Sequence, residues 1–407
     1  MNNGKSPQVY IALPVLNELE NIPDFLHCLL SQTYTSWKLY VCINQPDEWW
    51  NDPGRRMICE NNEKTFHYLK ELQHPDIFLI DRYSRGKGWK GKKHGVGWAR
   101  KTVMDKIAEE SQEGTDIMIS LDADTTFGSD YFQSVAETFI HHPDAVALSV
   151  PYFHNPSEDP YAYRAILRYE IYMRHYSINL WRIGSPYTFT ALGSAMACPV
   201  RSYQAIGGMT PKMSGEDFYF LQKMRKYGRV LFWNREKVYP AARFSDRVYF
   251  GTGPAMIKGN AGDWGSYPIY SYSFFDEAGE TCQKFPCFFE KTVETVFTKF
   301  LTDIFCEEDP FGPIRKNSPT RERFARACHE KVDGLRILQY VKEREKENGN
   351  ATDEKNLLDF FTAFYPDHLH LIPSDFSFAA SSLETLEKIR LFLVEKEEAY
   401  QLTSVLR

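Results

Sequence analysis

Short apolar segments alternate with longer segments of helical periodicity through the first 150 residues. The apolar segments have the length of buried strands and cover residues 9–13, 38–43, 77–80, 117–121 and 145–150. Between them, apolar residues recur at three- and four-residue spacing, which predicts helices over residues 22–30, 60–72, 92–110 and 129–141. Because strands separated by helices need crossover connections, this pattern predicts an α/β fold with a mostly parallel sheet flanked by helices.

The pattern changes after Pro151. A long helix rich in tyrosine and arginine is predicted from about residue 161 to 181, and a loop-rich, glycine-rich segment follows from Gly193 to Gly265. From Phe288 onward the periodicity is helical, and one long charged helix is predicted over residues 321–347. The C-terminal part of the chain is therefore predicted to be a helical extension of the α/β domain.

The length of 407 residues is too great for one hydrophobic core and predicts more than one domain. We predict a first domain over residues 1–265, with one half at 1–150 and the other at 151–265. A mainly helical region is predicted over residues 266–407.

The amino-acid composition limits the classes of partner that we expect the protein to bind. The chain is 43% hydrophobic and 25% charged, as ordinary soluble proteins are, and its net charge of -6 argues against broad nucleic-acid binding. It contains no run of about 18 apolar residues and no apolar N-terminal segment, so we expect neither a transmembrane helix nor a signal peptide. The eight cysteines show no framework spacing. These features predict a cytoplasmic protein with reduced thiols.

Two carboxylates, Asp122 and Asp124, follow the predicted strand at residues 117–121. Open α/β sheets bind ligands at the carboxyl edge of their strands. Mg²⁺ and Mn²⁺ prefer oxygen ligands, and Mg²⁺ is commonly held by one or two carboxylates together with substrate phosphates. The pair therefore indicates a metal site for a diphosphate, although acids that simply end a strand in solvent fit the same pattern.

The loop after the first strand carries Pro14, Asn17 and Glu18. Pro14 is expected to end the strand, and Asn17 is a candidate cap for the next helix. Glu18 has two interpretations that the sequence leaves open. It would accept hydrogen bonds from a ribose, or it would serve as a first-turn acid that the helix dipole favours.

A basic, glycine-containing loop follows the third strand, from Gly86 to Lys93. Its lysines, Lys92 among them, would supply positive charge for phosphates, while a solvated basic loop explains the same residues. The spacing is not that of a P-loop.

Two later motifs also have two interpretations. Glu216 and Asp217 open a predicted helix, where acids are ordinary, yet a carboxylate there would also serve as a general base. The segment from Arg243 to Gly253 combines arginines with Gly-Thr-Gly and fits either phosphate binding or a surface loop.

In their order along the chain, these motifs resemble those of the inverting nucleotide-sugar glycosyltransferases of family 2, which have the GT-A fold. The resemblance covers roughly residues 7–253. The matching stretches are Pro14-x-x-Asn17-Glu18 with Gln32-Thr33-Tyr34, Gly91 to Arg100, Asp122-Ala123-Asp124, Gly193-Ser194-Ala195, Gly207-Gly208 and Gly215-Glu216-Asp217.

The resemblance implies that residues 1–150 bind the donor nucleotide. Pro14, Asn17 and Glu18 would line the nucleoside pocket. Asn44 stands where family members often have an aspartate that reads the base, so the identity of the base stays open.

It also implies roles around the diphosphate and the reacting sugar. Asp122 would contact the ribose or the sugar and approach the metal, and Asp124 would hold the divalent cation, Mn²⁺ or Mg²⁺. Arg247 would contact phosphate from a segment that closes over the diphosphate.

For residues 151–265 the resemblance implies an acceptor role. Gly193 and Ser194 would border the donor sugar and the acceptor, Asp217 would be the general base, and Glu216 would orient it. Trp264 is an additional candidate for acceptor contact because aromatic faces stack on sugars.

The sequence therefore predicts a metal-dependent inverting glycosyltransferase that moves a sugar from a nucleoside-diphosphate sugar to a hydroxyl of a glycan or lipid-linked acceptor. The family further implies surface-glycan synthesis. A peripheral position at the inner face of the membrane is compatible with the apolar residues between Phe288 and Phe305, although a core helix explains them more simply. The alternatives are a metal-dependent nucleotidyltransferase that makes sugar nucleotides, and a non-catalytic relative that binds carbohydrate or nucleotide.

Overall fold

The structure is a computed structural model that describes residues 6–245, 251–349 and 351–405. Its strands within these residues are β1 (Val9–Val15), β2 (Trp37–Asn44), β3 (Ile77–Arg82), β4 (Ile117–Ser120), β5 (Thr125–Phe127), β6 (Ala145–Ser149), β7 (Met196–Pro199), β8 (Arg229–Leu231) and β9 (Val238–Pro240). Its α-helices there are α1 (Ile22–Leu30), α2 (Arg56–Glu71), α3 (Val96–Glu110), α4 (Tyr131–His141), α5 (Pro160–Arg182), α6 (Val200–Ala205), α7 (Glu216–Tyr227), α8 (Thr252–Asn260), α9 (Tyr272–Gln283), α10 (Val296–Phe305), α11 (Gly312–Asn317), α12 (Arg321–Lys331), α13 (Gly334–Asn348), α14 (Asp353–Phe364) and α15 (Leu383–Val405).

The backbone packs into two compact units. The first contains the described residues within Met1–Ile166, Phe189–Ala261 and Gln401–Arg407, and the second contains those within Leu167–Thr188 and Gly262–Tyr400. The predicted domain boundary after residue 265 stays a prediction, because packing alone does not define what folds independently.

The first unit is built on a mostly parallel sheet with the strand order β3-β2-β1-β4-β7-β6-β8. Strands β3, β2, β1 and β4 are parallel to one another, and β6 is parallel to β8, while β7 is antiparallel to both β4 and β6. Every residue of β1 is buried, as expected for a central strand with both faces covered. The predicted α/β class, the mostly parallel sheet and the helical C-terminal part are confirmed.

Two details at the end of β1 differ from the sequence prediction. Pro14 does not end the strand, because β1 continues to Val15 and Pro14 pairs with Cys42. Asn17 does not cap the following helix, which begins at Ile22. Asn17 instead has a φ of 58°, in the left-handed region that asparagine tolerates better than most residues, and turns the chain away from the strand.

The second unit is helical, and one of its predicted helices differs from the prediction. The long helix predicted over residues 321–347 is two helices, α12 and α13, because the Asp333 side chain accepts from the Arg336 N–H and starts a new helix. On α10, Phe297 and Leu301 are buried in the core of this unit. Within the described residues, no helix is both long and apolar enough to cross a bilayer.

A buried network of charges links α5 and α15 within the second unit. Arg174 donates to Glu170 Oε1 at 2.7 Å and to Glu397 Oε2 at 2.5 Å. Arg390 donates to Glu170 Oε2 at 3.2 Å, and all four side chains are at most 2% exposed. Such a network is costly to break, because the remaining buried charge has no water to replace its partner.

We expect Arg174→Met to lower the free energy of unfolding by about 3–5 kcal/mol, the cost of removing one member of a buried ion pair. Chemical denaturation of the full chain measures this loss. Arg326→Met is the matched control, since the Arg326–Glu330 pair is exposed and should contribute less than about 1 kcal/mol. Equal losses for the two variants would contradict a stabilising role for the network.

Candidate active site

The sheet brings several predicted residues to one edge. Strands β1, β2 and β4 are mutually parallel in the order β2-β1-β4, so their carboxyl ends lie side by side. The loop after β1 carries Glu18, β2 ends at Asn44, and the loop after β4 carries Asp122 and Asp124. The structure therefore brings four of the residues predicted to contact a donor to the edge where α/β sheets bind ligands.

Buried amides tie the loops at this edge to each other. Asn44 is 3% exposed, and its Nδ2 donates to the Val15 carbonyl at 2.8 Å while its Oδ1 accepts from Trp89 Nε1 at 2.9 Å. The Asn17 N–H donates to Asn62 Oδ1 at 2.8 Å. These bonds fix the backbone of the β1 and β2 loops. The predicted base contact of Asn44 stays a prediction.

Arg243 connects two of the predicted carboxylates. Strand β9 pairs antiparallel with β5, so the chain leaving Pro240 runs past Asp124, whose carbonyl accepts from the Ala241 N–H at 3.0 Å. Arg243 then donates to Asp124 Oδ2 at 2.6 and 2.9 Å and to the Glu18 oxygens at 2.8 and 2.9 Å. The Arg243 guanidinium thus bonds one acid in the loop after β1 and one in the loop after β4. Glu18 lies before α1 and is not a first-turn acid.

Removing Arg243 should destabilise the fold in a pH-dependent way. Burial raises the pKa of Asp124, and Arg243 opposes that rise. We expect Arg243→Met to cost about 1–3 kcal/mol near neutral pH, the range for hydrogen bonds to charged groups, because Asp124 and Glu18 lose this cation. The loss should shrink as the pH falls through the raised pKa of Asp124, since a protonated carboxyl no longer needs the cation.

Thermal unfolding between pH 4 and 8 measures this effect. Arg235→Met is the control, because its pair with Glu137 is exposed and should contribute little at any pH. A loss for Arg243→Met that is no larger than that of the control, or that does not change with pH, would contradict the account.

Arg100 joins the β4 edge to the residues predicted for the acceptor side. It lies on α3 and is 1% exposed. Its guanidinium donates to Asp122 Oδ1 at 2.9 Å, to the Gly193 carbonyl at 2.9 Å, to Glu216 Oε1 at 3.0 Å and to the Ser120 hydroxyl. Through this one side chain, Asp122, Gly193 and Glu216 form a single hydrogen-bonded cluster.

Asp217 is the second residue of α7 and follows Glu216. Helix α7 begins after Gly215, whose φ of 74° favours glycine. The Asp217 side chain is partly buried, and its Oδ1 accepts from the Phe218 N–H at 2.7 Å. Its pKa is raised to about 7, first by removal from water and then by the charge of Glu216, while Arg100 opposes the rise. A carboxylate with a pKa near neutrality is suited to accept a proton.

The carboxylates of Asp122 and Asp124 fit a divalent cation only with help from a ligand. Their oxygens are of the type that Mg²⁺ and Mn²⁺ prefer. In the part of the chain that the structure describes, no three His, Cys, Asp or Glu side chains are grouped to hold a metal. Arg243 already donates to Asp124, so a cation there must share or displace the guanidinium. The pair fits a cation that takes its other ligands from a diphosphate and water.

The remaining predicted residues lie in three different settings. Ser194 is buried next to Gly193, and Lys92 is exposed. Trp264 belongs to the second unit, where the Arg168 guanidinium lies 4.9 Å from the centre of its ring. Arg247 lies outside the described residues.

Sequence reasoning missed the roles of Arg100 and Arg243 in this geometry. For Arg100 a signal was available. It falls on the helical stripe that contains Gly97, Val103 and Ile107, all of which are buried. An arginine on an apolar stripe predicts a buried cation with acidic partners. For Arg243 no such signal exists, because its partners depend on the pairing of β5 with β9.

Comparisons with known proteins give only weak likenesses. No family model and no curated protein match the sequence. Among solved structures, the chain is similar to TarS 1–349 of S. aureus in complex with UDP-GlcNAc, with a TM-score of 0.39 and 12% identity over 97% of this chain and 91% of that one. It is also similar to the mannosyltransferase PcManGT from Pyrobaculum calidifontis in complex with GDP-Man and Mn²⁺. The TM-score is 0.36, and the identity is 14% over 98% of this chain and 88% of that one. For TarS 1–349 in complex with UDP, the TM-score is 0.38, and the identity is 11% over 84% of this chain and 91% of that one. Likenesses at this level assign no activity to the chain.

Proposed function

We propose that this chain is a metal-dependent inverting glycosyltransferase of the GT-A type, related to family 2, that uses a nucleoside-diphosphate sugar. One observation carries the proposal. Asp122 and Asp124 lie in the loop after the central strand β4 at the ligand edge, and Arg100 donates both to Asp122 and to Glu216, the residue before Asp217. Asp122, one acid of the proposed diphosphate site, and Glu216, the neighbour of the proposed base Asp217, thus share one guanidinium.

On the donor side, Pro14, Asn17 and Glu18 would border the nucleoside, together with Asn44 at the end of β2. Glu18 is 5% exposed and bonded to Arg243, so its contact with a ribose requires Arg243 to move or share the carboxylate.

Around the diphosphate, Asp122 would contact the ribose or the sugar. A divalent cation held by Asp124 and Asp122 would supply positive charge against the diphosphate. Lys92 and Arg247 are proposed to add phosphate contacts.

On the acceptor side, Asp217 would take the proton. The oxygen of the acceptor hydroxyl attacks the anomeric carbon and forms the new glycosidic bond, while its proton passes to the Asp217 carboxylate. The bond between the anomeric carbon and the β-phosphate oxygen breaks, and its electron pair leaves with the nucleoside diphosphate. A single displacement of this kind inverts the anomeric configuration.

Other residues are proposed to shape the acceptor side. Gly193 and Ser194 would border the sugar, Glu216 would orient the Asp217 segment, and Trp264 is the candidate for stacking on an acceptor sugar. A glycan or a lipid-linked glycan in surface-glycan synthesis is the acceptor class that we propose. It would be met in the cytoplasm or at the inner face of the membrane.

The proposal is tested by incubating the protein with UDP-, GDP- and dTDP-sugars, with Mn²⁺ or with EDTA, and measuring the nucleoside diphosphate released. We expect release from one class of donor, dependent on Mn²⁺, and stimulated by oligosaccharide or lipid-linked acceptors. The anomeric configuration of the product, read by NMR, tests inversion. Formation of a sugar nucleotide from a sugar phosphate and a nucleoside triphosphate would instead favour a nucleotidyltransferase.

A further inference from the structure

Arg100 is an unusual side chain for its place in the fold. It lies on the buried face of α3 between Gly97 and Val103, where the neighbouring buried positions are small or apolar. Arginine is almost never fully buried unless it is paired. Its burial therefore requires partners from other elements, and the structure supplies four.

These four partners come from three separate parts of the chain. Ser120 and Asp122 belong to β4 and the loop after it, Gly193 lies in the loop before β7, and Glu216 begins α7. The Ser120 hydroxyl also donates to the Gly193 carbonyl at 2.7 Å. The guanidinium is the common point at which these segments meet.

Two glycines allow the close approach of these segments. A Cβ on Gly193 would lie 2.3 Å from an Nη atom of Arg100. A Cβ on Gly97, one turn before Arg100, would lie 2.3 Å from the Lys212 carbonyl oxygen in the segment that leads to α7. The backbone of α3 and the loop at Gly193 therefore press directly against the guanidinium and the start of α7.

Of three neighbouring acids, Arg100 bonds directly to two and not to the third. Asp122 and Glu216 each accept a direct hydrogen bond from the guanidinium. Asp217 does not, and the Phe218 N–H is its donor within the described residues. Burial works against the charge of Arg100, but Asp122 and Glu216 hold its pKa above the ordinary value, so it stays a cation.

We propose that Arg100 is a positioning residue that fixes Asp122, Gly193 and Glu216 relative to one another and leaves Asp217 as the acid available to the acceptor. This inference rests on the proposed function. Arg100 touches no substrate in this scheme. It acts by holding the start of α7 against the end of β4, so that the acid on α7 faces a donor held at β4.

Kinetics of Arg100→Ala and Arg100→Lys test the positioning role. A misplacement of about 1 Å can cost about 10²-fold in rate, so we expect kcat to fall by about 10²-fold in both variants. The KM for the donor should change much less than kcat. Lysine keeps the charge but cannot bridge several partners from one planar group, so it should not restore the rate.

Chemical rescue separates positioning from a general loss of structure. Methylguanidinium added to Arg100→Ala should raise kcat by about tenfold or more, because it can occupy the vacated space and bond the same oxygens. Arg390→Ala is the matched control. It removes a fully buried arginine from the second unit and should lower the melting temperature with no rescue and no comparable loss of kcat.

Gly193→Ala tests the position of the Arg100 guanidinium without removing its charge. The added methyl group must displace the guanidinium, so we expect a loss of kcat similar to that of Arg100→Ala. Gly265→Ala is the control, since its Cβ would meet only an ordinary contact of 3.4 Å with Asp263 Oδ1. An unchanged kcat in folded Arg100→Ala and Gly193→Ala, from a wild type that transfers sugar, would overturn the inference.

A stability cycle gives a result that does not depend on activity. Melting temperatures of Arg100→Met, Glu216→Gln and the double variant should be non-additive, with the double variant losing little more than the worse single variant. Additive losses would overturn the linkage. Non-additive losses in a protein that turns over no nucleotide sugar would support the linkage and contradict only the proposed transferase reaction.

Discussion

Replacing Asp217 with asparagine is expected to lower kcat by about 10²- to 10⁴-fold, the range that general-base catalysis contributes. Asparagine is nearly the same size but cannot accept the acceptor proton. Donor binding should change little, because Asp122 and Asp124 keep their contacts with Arg100 and Arg243. Steady-state kinetics and donor titration measure the two effects separately. Retained transfer by Asp217→Asn would remove Asp217 as the base.

The same substitution is expected to stabilise the protein at alkaline pH. Because the pKa of Asp217 is raised to about 7 from an ordinary value of 3.8, the folded protein holds a proton between these values that the unfolded chain releases. The free energy of unfolding therefore falls as the pH rises toward 7. Above pH 7 the full cost of burying the charged Asp217 carboxylate is present. The melting temperature of Asp217→Asn should exceed that of the wild type at pH 8, and the difference should shrink toward pH 4.

The wild-type rate should follow the same ionisation. The kcat/KM for the donor and acceptor should fall as the pH drops below about 7, since the protonated acid cannot act as a base. Asp303→Asn is the control, because Asp303 is an exposed acid on α10 and should change neither activity nor stability. An Asp217→Asn variant that is less stable than the wild type at pH 8 would contradict the electrostatic account.

Replacing Asp124 with alanine is expected to abolish cation-dependent donor binding. In the wild type, Mn²⁺ should tighten nucleoside-diphosphate binding by about tenfold or more, equivalent to about 1.4 kcal/mol. In Asp124→Ala, the Kd should be the same with Mn²⁺ and with EDTA. The variant also removes an acid that Arg243 now contacts, so binding without metal should not weaken and is expected to improve.

Isothermal titration with and without EDTA measures this difference. Asp144→Ala is the control, since Asp144 is an exposed partner of Arg229 and should leave the metal effect intact. A metal effect of unchanged size in Asp124→Ala would refute the assignment of Asp124 as a ligand.

Local patterns predicted the frame of this fold well. Strands β1 to β4 and the helices between them follow from apolar segment length and helical spacing, which depend on nearby residues only. The position of Asp122 and Asp124 at the ligand edge follows from the same reasoning. Strand β7 was not predicted, because four residues, Met196–Pro199, in a glycine-rich segment give too short a pattern.

The links within the site depend on distant residues and were not predictable in this way. Arg100 and Glu216 are 116 positions apart, and Arg243 and Glu18 are 225 positions apart. Their pairing is set by where α7 and the segment after β9 pack, which no local periodicity encodes. The sequence could predict that Arg100 needs partners, but not which acids they are.

A thermal-shift experiment with UDP, GDP, dTDP and CMP, each with Mn²⁺ and with EDTA, tests the central claim most directly. A ligand that binds only the folded protein raises its melting temperature by mass action. We predict a shift for one nucleoside diphosphate that EDTA reduces in the wild type and does not change in Asp124→Ala. No shift with any nucleotide or intact nucleotide sugar, with or without the cation, would contradict the proposed donor site.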